Sequence, residues 1–509
     1  GGVPCPVQEA NATTLVCLPP QADATIVVGS VIVIVQGITA ECINPSGCGL
    51  ARVPEIHSIQ PRAALYDLTT RLTIAGRGFS AAPVNTTVDL GPHPCIVASA
   101  NETHILCDVA GGNASHPVVV TVVDVNGLAA TSECIDDAAA DCIFKFVEPI
   151  WVDAAAGSED GSCVCNQSPP YSPSSPGCAS FGCALANAYF EHHRIFARAG
   201  SYSGPRNARL SSPASLDVVL RSVEPDVADV VVDCTGADGP FLTLVGREDV
   251  SGFTITRCVS ESHGGGLVIA PGAAVVMTHM TFSANEARNA SFGGGVYVAG
   301  ELNATALTFA ANNATAGAGL AAGNAASVVL VDVVVCDSVA GGGILAADGA
   351  SVELRGSSWI MDNAGSGLQA LSGGLVRATN ATRVIRNVAD YGGGLYASGS
   401  GSTLLWLAGH PDASLEANVA VYAGGGAYAE LSASVVLSVG PVHNCSAATG
   451  LGGGVAAAST GSVHLAAGVV ISDCSAARGG GAGATDAGVV HLVATTRVTN
   501  CHASDAGGA

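Results

Sequence analysis

The 509-residue sequence is poor in charged and aromatic side chains, which make up 12% and 5% of its residues. Lys145 is its single lysine, and Asp and Glu outnumber Lys and Arg by 41 to 19. The formal charge of −22 argues against nucleic acid or an anionic membrane as a partner, since both require a basic protein surface. No apolar run reaches the ~18 residues of a membrane-spanning helix, so we expect no membrane insertion in this segment.

The sequence also lacks recognisable catalytic motifs. It contains no G-x-S-x-G elbow, no P-loop and no H-E-x-x-H pair, so nucleophilic, phosphate-binding and zinc-peptidase chemistry have no support. No signal peptide opens the chain, which for a secreted protein suggests an N-terminus further upstream. Glycine is abundant instead, with 65 residues in a sequence that is 48% hydrophobic. This composition favours an all-β fold of many short strands with tight corners.

Eighteen cysteines occur together with ten N-x-S/T sequons, against roughly three sequons expected from composition. The excess favours a glycosylated protein in an oxidising, extracellular setting, where cysteines form disulfides. The predicted glycosylation sites are Asn11, Asn85, Asn101, Asn113, Asn166, Asn289, Asn303, Asn313, Asn380 and Asn444.

Two cysteine-containing segments recur 90 residues apart, PCPVQEANATTLVC from Pro4 and PCIVASANETHILC from Pro94. Each continues into a strand-like run that ends at Gly37 or Gly127, which keeps the same offset. A period near 90 with short alternating strands is typical of an immunoglobulin-sized sandwich. The first copy lacks the front half of the second, so we expect the chain to start inside a domain.

The second copy carries a family resemblance. Its opening VPEIHSIQP, its strand LTIAGRGF and the later pair of cysteines resemble the IPT/TIG domain, the immunoglobulin-like fold of plexins and fibrocystin-like receptors, over about residues 53–142. The resemblance implies two packed β-sheets in each copy.

The cysteines of the N-terminal half are expected to form local disulfides. In the two copies we predict the pairs Cys5/Cys17, Cys42/Cys48, Cys95/Cys107 and Cys134/Cys142. Metal ligation is the alternative for these eight, and zinc is the alternative for the linker cysteines. Further disulfide cysteines are predicted at Cys163, Cys165, Cys178, Cys183, Cys234 and Cys258.

From Gly264 onward, GGG or a close variant recurs every 24 to 32 residues. One turn of a three-sided parallel β-helix uses about two dozen residues, and glycine tolerates the positive φ and close stacking of a repeated corner. Asparagines precede successive corners and are expected to stack as an internal amide ladder. These asparagines are Asn285, Asn312, Asn363, Asn387 and Asn418.

The strings FSAN and FAAN, each followed by a glycine-rich corner, resemble the F-x-x-N and GGA repeats of chlamydial-type polymorphic outer-membrane proteins. That resemblance implies a right-handed, pectin-lyase-like parallel β-helix. A helix predicted over Ala184 to His193 would cap its first turn. The preceding loop SPPYSPSSPG resembles proline-hydroxylation sites of plants and green algae, which implies an algal-type extracellular fibre glycoprotein.

Candidate chemistry in the coil is sparse. Asp337 and Asp362 precede successive corners, with Glu353 and Arg355 between them in sequence. A polysaccharide-cleaving site would require such clustered carboxylates, but solvated turn residues are the favoured interpretation. The run Glu191 to Arg194 is interpreted as helix surface rather than as a metal site. Cys445, Cys474 and Cys501 precede late corners and, with Cys336, are interpreted as buried thiols, a cross-turn disulfide being the alternative.

These patterns predict four regions: half of an IPT/TIG-like domain (1–50), a complete one (51–148), a Cys/Pro-rich linker with cap and first turns (149–263), and a Gly-rich parallel β-helix (264–509). Both ends look unfinished, which favours a secreted structural glycoprotein that self-associates into a fibre or coat, without enzymatic activity or cofactor. A carbohydrate-binding or adhesive ectodomain is the alternative, and a β-helix polysaccharide lyase or hydrolase is less favoured.

Overall fold

The computed structural model of the chain describes residues 7–10, 15–17, 33–35, 38–40, 54–65, 69–112, 115–123, 129–134, 142–147, 149–155, 177–188, 193–213, 218–223, 226, 228–407, 409–438 and 440–506. The chain divides into two compact units, residues 1–148 and 149–509. Nearly every described element is a β-strand, as the glycine-rich composition with few charged residues predicts.

The first unit consists of short strands that pair mainly in antiparallel fashion. Its last ten strands join into one ten-stranded sheet, whose buried positions alternate with exposed ones. Leu72 and Ile74, for example, lie in the core while Arg71 faces solvent. The strands are Val7–Ala10, Leu15–Cys17, Val33–Val35, Ile38–Ala40, Glu55–Gln60, Ala63–Leu65, Thr70–Arg77, Thr86–Leu90, His93–Ala100, His104–Val109, Ser115–Val123, Ala129–Thr131, Glu133–Cys134 and Ile143–Val147.

The 90-residue repeat is visible in the strand register. In the first copy, Val7 pairs with Cys17, and in the second copy Val97 pairs with Cys107. The next pairs, Glu9 with Val16 and Ala10 with Leu15, also recur at the same offset. The two segments therefore form the same antiparallel hairpin.

The second unit is a parallel β-solenoid in which the chain visits three long faces in turn. Face A contains Ile150–Val152, His193–Ala197, Val218–Ser222, Arg247–Ser251, the first parts of Ala274–Ser283 and Glu301–Ala310, Ser327–Val331, Ser351–Arg355, Leu375–Ala378, Thr403–Trp406, Ser434–Leu437, Ser462–Leu465 and Val489–Leu492. Face B contains Gly200–Ser203, Val230–Asp233, Thr254–Thr256, the last parts of the same two long strands, Val334–Cys336, Trp359–Met361, Arg383–Ile385, Ser414–Glu416, Pro441–His443, Val470–Ser472 and Arg497–Thr499.

Face C is an eleven-stranded sheet, and a shorter face D precedes it in the later turns. Face C contains Leu210–Ser211, Leu242–Leu244, Leu267–Ile269, Val296–Val298, Leu320–Ala322, Ile344–Ala346, Leu368–Leu371, Leu395–Ser398, Ala427–Glu430, Val455–Ala457 and Ala482–Ala484. Face D contains Val388–Tyr391, Val419–Ala423, Ser446–Leu451, Ser475–Arg478 and His502–Ala506, and the pair Val259–Ser260 and Glu286–Ala287 lies at the equivalent place in earlier turns.

The predicted asparagine ladder forms inside the turn that follows face B. The side-chain oxygen of Asn312 accepts two hydrogen bonds from Asn285, one from its backbone N–H (3.0 Å) and one from its side-chain amide (3.1 Å). The side-chain amide of Asn312 donates to the carbonyl of Phe282 (2.9 Å), one turn back. Asn363, Asn387 and Asn418 repeat this pattern. The ladder therefore satisfies backbone groups that the turn would otherwise bury unpaired.

The capping helix is shorter and lies earlier than the sequence pattern predicts. It covers Phe181–Ala186, because Ser180 caps its N-terminus and Asn187 ends it. The residue that was expected to end it, His193, begins a strand of face A. Phe181 packs edge-on against Phe241 and Phe253 in the solenoid core, so the helix does cover the first turns.

The predicted pair Cys95–Cys107 is a disulfide in the structure. Cys234 and Cys258, which were predicted as disulfide cysteines without an assigned partner, are bonded to each other. Cys142, Cys178 and Cys183 are disulfide-bonded as well. The side chains of the other predicted disulfide cysteines lie outside the described residues, so their pairing stays a prediction. These are Cys5, Cys17, Cys42, Cys48, Cys134, Cys163 and Cys165.

Candidate functional site

The glycine corners bring faces D and C together so closely that side chains are excluded from the corner itself. The first glycine of a triplet adopts a positive φ, as Gly424 does at 64°. A Cβ on the second glycine, Gly425, would lie 2.3 Å from the carbonyl oxygen of Ser446 and 2.5 Å from that of Gly453. Outward side chains that flank neighbouring triplets can therefore meet across the corner, as Tyr391 and Tyr428 do.

The outside of face C carries two small apolar clusters that are separate from the solenoid core. In the strand Val296–Val298, the two valines point into the core, whereas Tyr297 between them packs with Ala321 and Leu345 on the outside. The second cluster surrounds Tyr428, which is only 4% exposed. Outward residues of a solenoid are usually solvated, so these clusters mark the corner as a distinct surface.

Four aromatic rings converge in the second cluster, and we call Tyr391, Tyr396, Tyr422 and Tyr428 the tyrosine cluster. The ring centroid of Tyr391 lies 5.2 Å from that of Tyr422 and 5.2 Å from that of Tyr428. Tyr396 and Tyr428 are almost parallel, with centroids 6.1 Å apart. Tyr391 and Tyr422 remain 38% and 49% exposed, so the cluster presents aromatic surface to solvent.

A carboxylate organises the hydroxyl groups of this cluster. Tyr396 donates to Oε1 of Glu430 (2.7 Å), and Tyr428 donates to Oε2 (3.3 Å). Ser398 also donates to Oε1 (3.2 Å). Burial, followed by the hydrogen bond to Glu430, raises the pKa of Tyr396 to about 12, and burial raises the pKa of Tyr428 too. Both tyrosines therefore stay protonated at physiological pH.

The sequence reasoning missed this cluster, although a signal was present. The strings YGGGLY and YAGGGAY place tyrosines on both sides of successive triplets, and FGGGVY places a phenylalanine and a tyrosine around an earlier one. In that earlier group, His263 stacks on Phe292 (5.2 Å between centroids) and on Tyr297 (4.6 Å). Aromatic residues on both sides of a glycine triplet were the sequence signal that could have predicted these clusters.

The carboxylates that the sequence singled out do not form one site. Asp337 and Asp362 follow the paired residues Cys336 and Met361, at the turn after face B. Glu353 and Arg355 lie on a different face, where they form an exposed ion pair with each other (2.8 Å). The short spacing in sequence suggested that these four residues lie close together. Within one turn of the solenoid, however, successive strands lie on different faces, so the two groups are apart in space.

Asp362 also has a structural partner. Arg386, one turn further along, donates to both oxygens of this carboxylate (2.7 and 2.6 Å). Asp337, Asp362 and Arg386 all precede ladder positions and have φ between 55° and 57°. These side chains thus stack on the outside of the ladder turn.

The run Glu191 to Arg194 falls only partly within the described residues, which place Arg194 in a face A strand. Across the described parts of both units, no three His, Cys, Asp or Glu side chains converge as metal ligands do. In the same regions, no helix is long and apolar enough to cross a membrane.

The late cysteines occupy the ladder itself. Face B residues Val384, Leu415, Val442 and Ile471 are in register, and the residue three positions later changes from asparagine to cysteine along this series. Like the ladder amides, the sulfur of Cys445 lies near the carbonyl of Leu415 (3.7 Å) and that of Cys474 near the carbonyl of Val442 (3.7 Å), one turn back. Each sulfur lies closer still to a carbonyl two residues earlier in its own turn, at 3.4 and 3.2 Å. Cys501 continues the column towards Ile471 (4.0 Å). All three are free thiols, as is Cys336.

We expect these thiols to resist alkylation in the native protein. Burial raises the pKa of Cys336 to about 12, and hydrogen bonding with Cys445 together with burial raises the pKa of Cys474. Cys445 and Cys474 are also almost fully buried, and alkylation requires an accessible thiolate, so iodoacetamide at about pH 8 should leave both unmodified by mass spectrometry. Partly exposed Cys501 should react slowly, and unfolding should expose all four. Rapid native labelling of Cys474 would contradict the ladder assignment.

The sequon asparagines that the structure describes all lie outside the cores. Asn303 is exposed on face A beside the buried Leu302, and Asn289 and Asn444 are exposed in turns. Asn85, Asn101, Asn313 and Asn380 are exposed or half-buried. Side chains of Asn11, Asn113 and Asn166 lie outside the described residues.

Comparison with known proteins places part of the chain in a family. The model of the IPT/TIG domain matches residues 54–133, which coincide with the main sheet of the first unit. Residues 54–133 form an IPT/TIG domain. Mouse fibrocystin-L is 26% identical over 155 residues, which cover 30% of this chain and 4% of the relative. Human fibrocystin-L is 38% identical over 102 residues, which cover 19% of this chain and 2% of the relative.

Two solved structures resemble parts of the chain weakly. An auxiliary nutrient binding protein from Bacteroides thetaiotaomicron matches 18% of this chain and 21% of its own, at 17% identity and a TM-score of 0.16. A family 28 exopolygalacturonase from Yersinia enterocolitica matches 88% of this chain and 99% of its own, at 9% identity and a TM-score of 0.27. The IPT/TIG resemblance is confirmed by the family match, and the parallel β-helix is confirmed by the strand pairing of the second unit.

Proposed function

We propose that this chain is part of an extracellular adhesive ectodomain that binds saccharides through the tyrosine cluster. The observation that carries the proposal is the exposed pair of rings, Tyr391 and Tyr422, beside the hydroxyls held by Glu430. Tyrosine combines an apolar ring with a polar edge, which suits the C–H faces and hydroxyls of a sugar. The rings also sit on regular strands of a long solenoid, so little order has to be gained on binding.

Other features support an extracellular setting. The chain contains an IPT/TIG domain and resembles a short part of fibrocystin-L, and seven described cysteines outside the late thiols are disulfide-bonded. Occupied sequons on the outer surface would agree with the same setting. We further propose that the protein binds its glycan without cleaving it, because the candidate carboxylates are dispersed or paired with arginine.

Substitution of Tyr422 by alanine tests the proposed function. In a panel of immobilised cell-surface and matrix polysaccharides, the full chain should bind at least one, and Tyr422→Ala should raise its Kd about tenfold or more, equivalent to ~1.4 kcal/mol. Trp359→Ala is the matched control, since Trp359 lies on face B, where Arg383 covers its ring. Absence of binding to every polysaccharide, or equal losses in the two variants, would refute the proposal. Release of shorter products in the same assay would show catalysis instead.

Self-association into a fibre stays a prediction. Sedimentation of native material would support it by revealing species larger than the monomer at micromolar concentration.

A further inference from the structure

We propose that the tyrosine cluster selects neutral, hydroxyl-rich glycans and rejects acidic ones, an inference that rests on the proposed function. It follows from which hydrogen-bonding groups the site has left to offer. The described residues around the cluster supply acceptors in excess of donors, and the local charge is negative. A ligand that reaches Glu430 must therefore bring its own donors.

The donors beside Glu430 are already in use, which leaves the hydroxyl protons of Tyr391 and Tyr422 at the exposed edge of the cluster. Each of the hydroxyls of Tyr396, Tyr428 and Ser398 has a single proton, and each directs it at Glu430. A carboxylate has no proton to return. What the three hydroxyls still present to a ligand is lone pairs, and Glu430 adds further acceptor sites.

The raised pKa values keep this arrangement fixed. Burial and the neighbouring carboxylate hold Tyr396 protonated, with a pKa of about 12, so its proton stays on the side of Glu430 across the physiological range. Reversing a tyrosine hydroxyl towards an anionic ligand would break its bond to the carboxylate. The hydroxyl oxygens of these tyrosines therefore present lone pairs, and not protons, to a ligand.

Charge acts in the same direction. Asp390 is exposed in the strand that ends at Tyr391, so it adds a second acidic group near the rings. Arg386, shortly before Tyr391 in the same turn of the solenoid, instead donates to both oxygens of Asp362. A uronate or sulfate would meet like charge at Glu430 and Asp390, whereas neutral sugar hydroxyls can donate to the tyrosine and carboxylate oxygens.

Pairs of glycans that share a backbone and differ in charge provide the test. Binding of the full chain to a neutral polymer and to its acidic counterpart, such as methyl-esterified and de-esterified polygalacturonate or dextran and dextran sulfate, is compared at constant ionic strength. The preferred backbone is taken from the polysaccharide panel and is used in both forms. We expect the neutral form to bind at least tenfold more tightly. A cationic polymer, chitosan, forms a third arm.

Glu430→Gln is the decisive variant, because it removes the charge and supplies an N–H₂ donor in nearly the same shape. It should narrow the neutral-to-acidic preference to about threefold or less. Glu416→Gln on face B is the control and should leave the preference unchanged. Thermal unfolding and circular dichroism verify that both variants are folded. A third variant, Tyr396→Phe, frees one oxygen of Glu430 and should keep the preference for the neutral glycan.

The outcomes separate the two proposals. Equal or tighter binding of the acidic form by the unmodified protein, or a preference for chitosan over neutral glycans, would overturn the neutral selectivity while leaving saccharide binding intact. A preference that survives in Glu430→Gln would also overturn it, because the carboxylate would not be its source. Failure to bind any polysaccharide would refute the proposed function and this inference together.

Discussion

Replacing Gly425 by alanine should strongly destabilise the solenoid. The new Cβ would meet two backbone carbonyl oxygens at 2.3 and 2.5 Å, and neither belongs to a flexible side chain that could move away. Forcing atoms into such a close-packed position typically costs 1 to 3 kcal/mol, so with two backbone clashes we expect a loss of roughly 3 kcal/mol or more. Thermal unfolding of the full chain, followed by calorimetry, measures it.

Gly468→Ala is the matched control. Gly468 has φ of 88°, but a Cβ there would meet no atom within 4 Å, so only the backbone preference of glycine is lost. That preference costs about 1 kcal/mol. If the two variants unfolded at the same temperature, conformational strain rather than close stacking would explain the triplets.

Replacing Asn312 by leucine should lower the free energy of unfolding by about 2 to 4 kcal/mol, because it leaves two buried backbone groups without partners. These are the N–H of Asn285 and the carbonyl of Phe282. Hydrogen exchange of the Asn285 amide gives a local readout, and we expect it to accelerate about a hundredfold or more, as a loss of ~3 kcal/mol implies.

The neighbouring residue supplies the control for this change. Asn313 lies half-buried outside the ladder, where its side chain contacts Glu286 at 3.3 Å. Asn313→Gln should therefore alter stability by less than about 0.5 kcal/mol. Comparable exchange at Asn285 in both variants would mean that the side chain of Asn312 does not hold the turn.

The regular parts of the solenoid could be predicted because the same local physics repeats. Glycine triplets located the corners, and the aligned pairs Phe282 with Asn285 and Phe309 with Asn312 located the ladder. The inward register followed from this spacing without knowledge of the turns between. The Phe rings indeed stack, with centroids 5.2 Å apart.

What could not be predicted depends on how turns of unequal length bring residues together. The tyrosine cluster joins Tyr391 to Tyr428 across a corner and between turns, and no single period in the sequence encodes that contact. Few residues separate Glu353 from Asp362 in the sequence, which suggested that they are close in space, yet they lie on different faces. The helix cap differed from expectation because capping by Ser180 outweighed the apolar pattern further along.

The change from amides to thiols along the ladder makes the solenoid mechanically uneven. An asparagine links two turns with both a strong donor and a strong acceptor, whereas a thiol is weak in both roles. The contacts of Cys445 and Cys474 with the preceding strand are accordingly long, at 3.7 Å. A force along the solenoid axis would meet least resistance in these turns, so they would separate first. The amide-linked turns before them, which carry the tyrosine cluster at their boundary, would stay coiled until later.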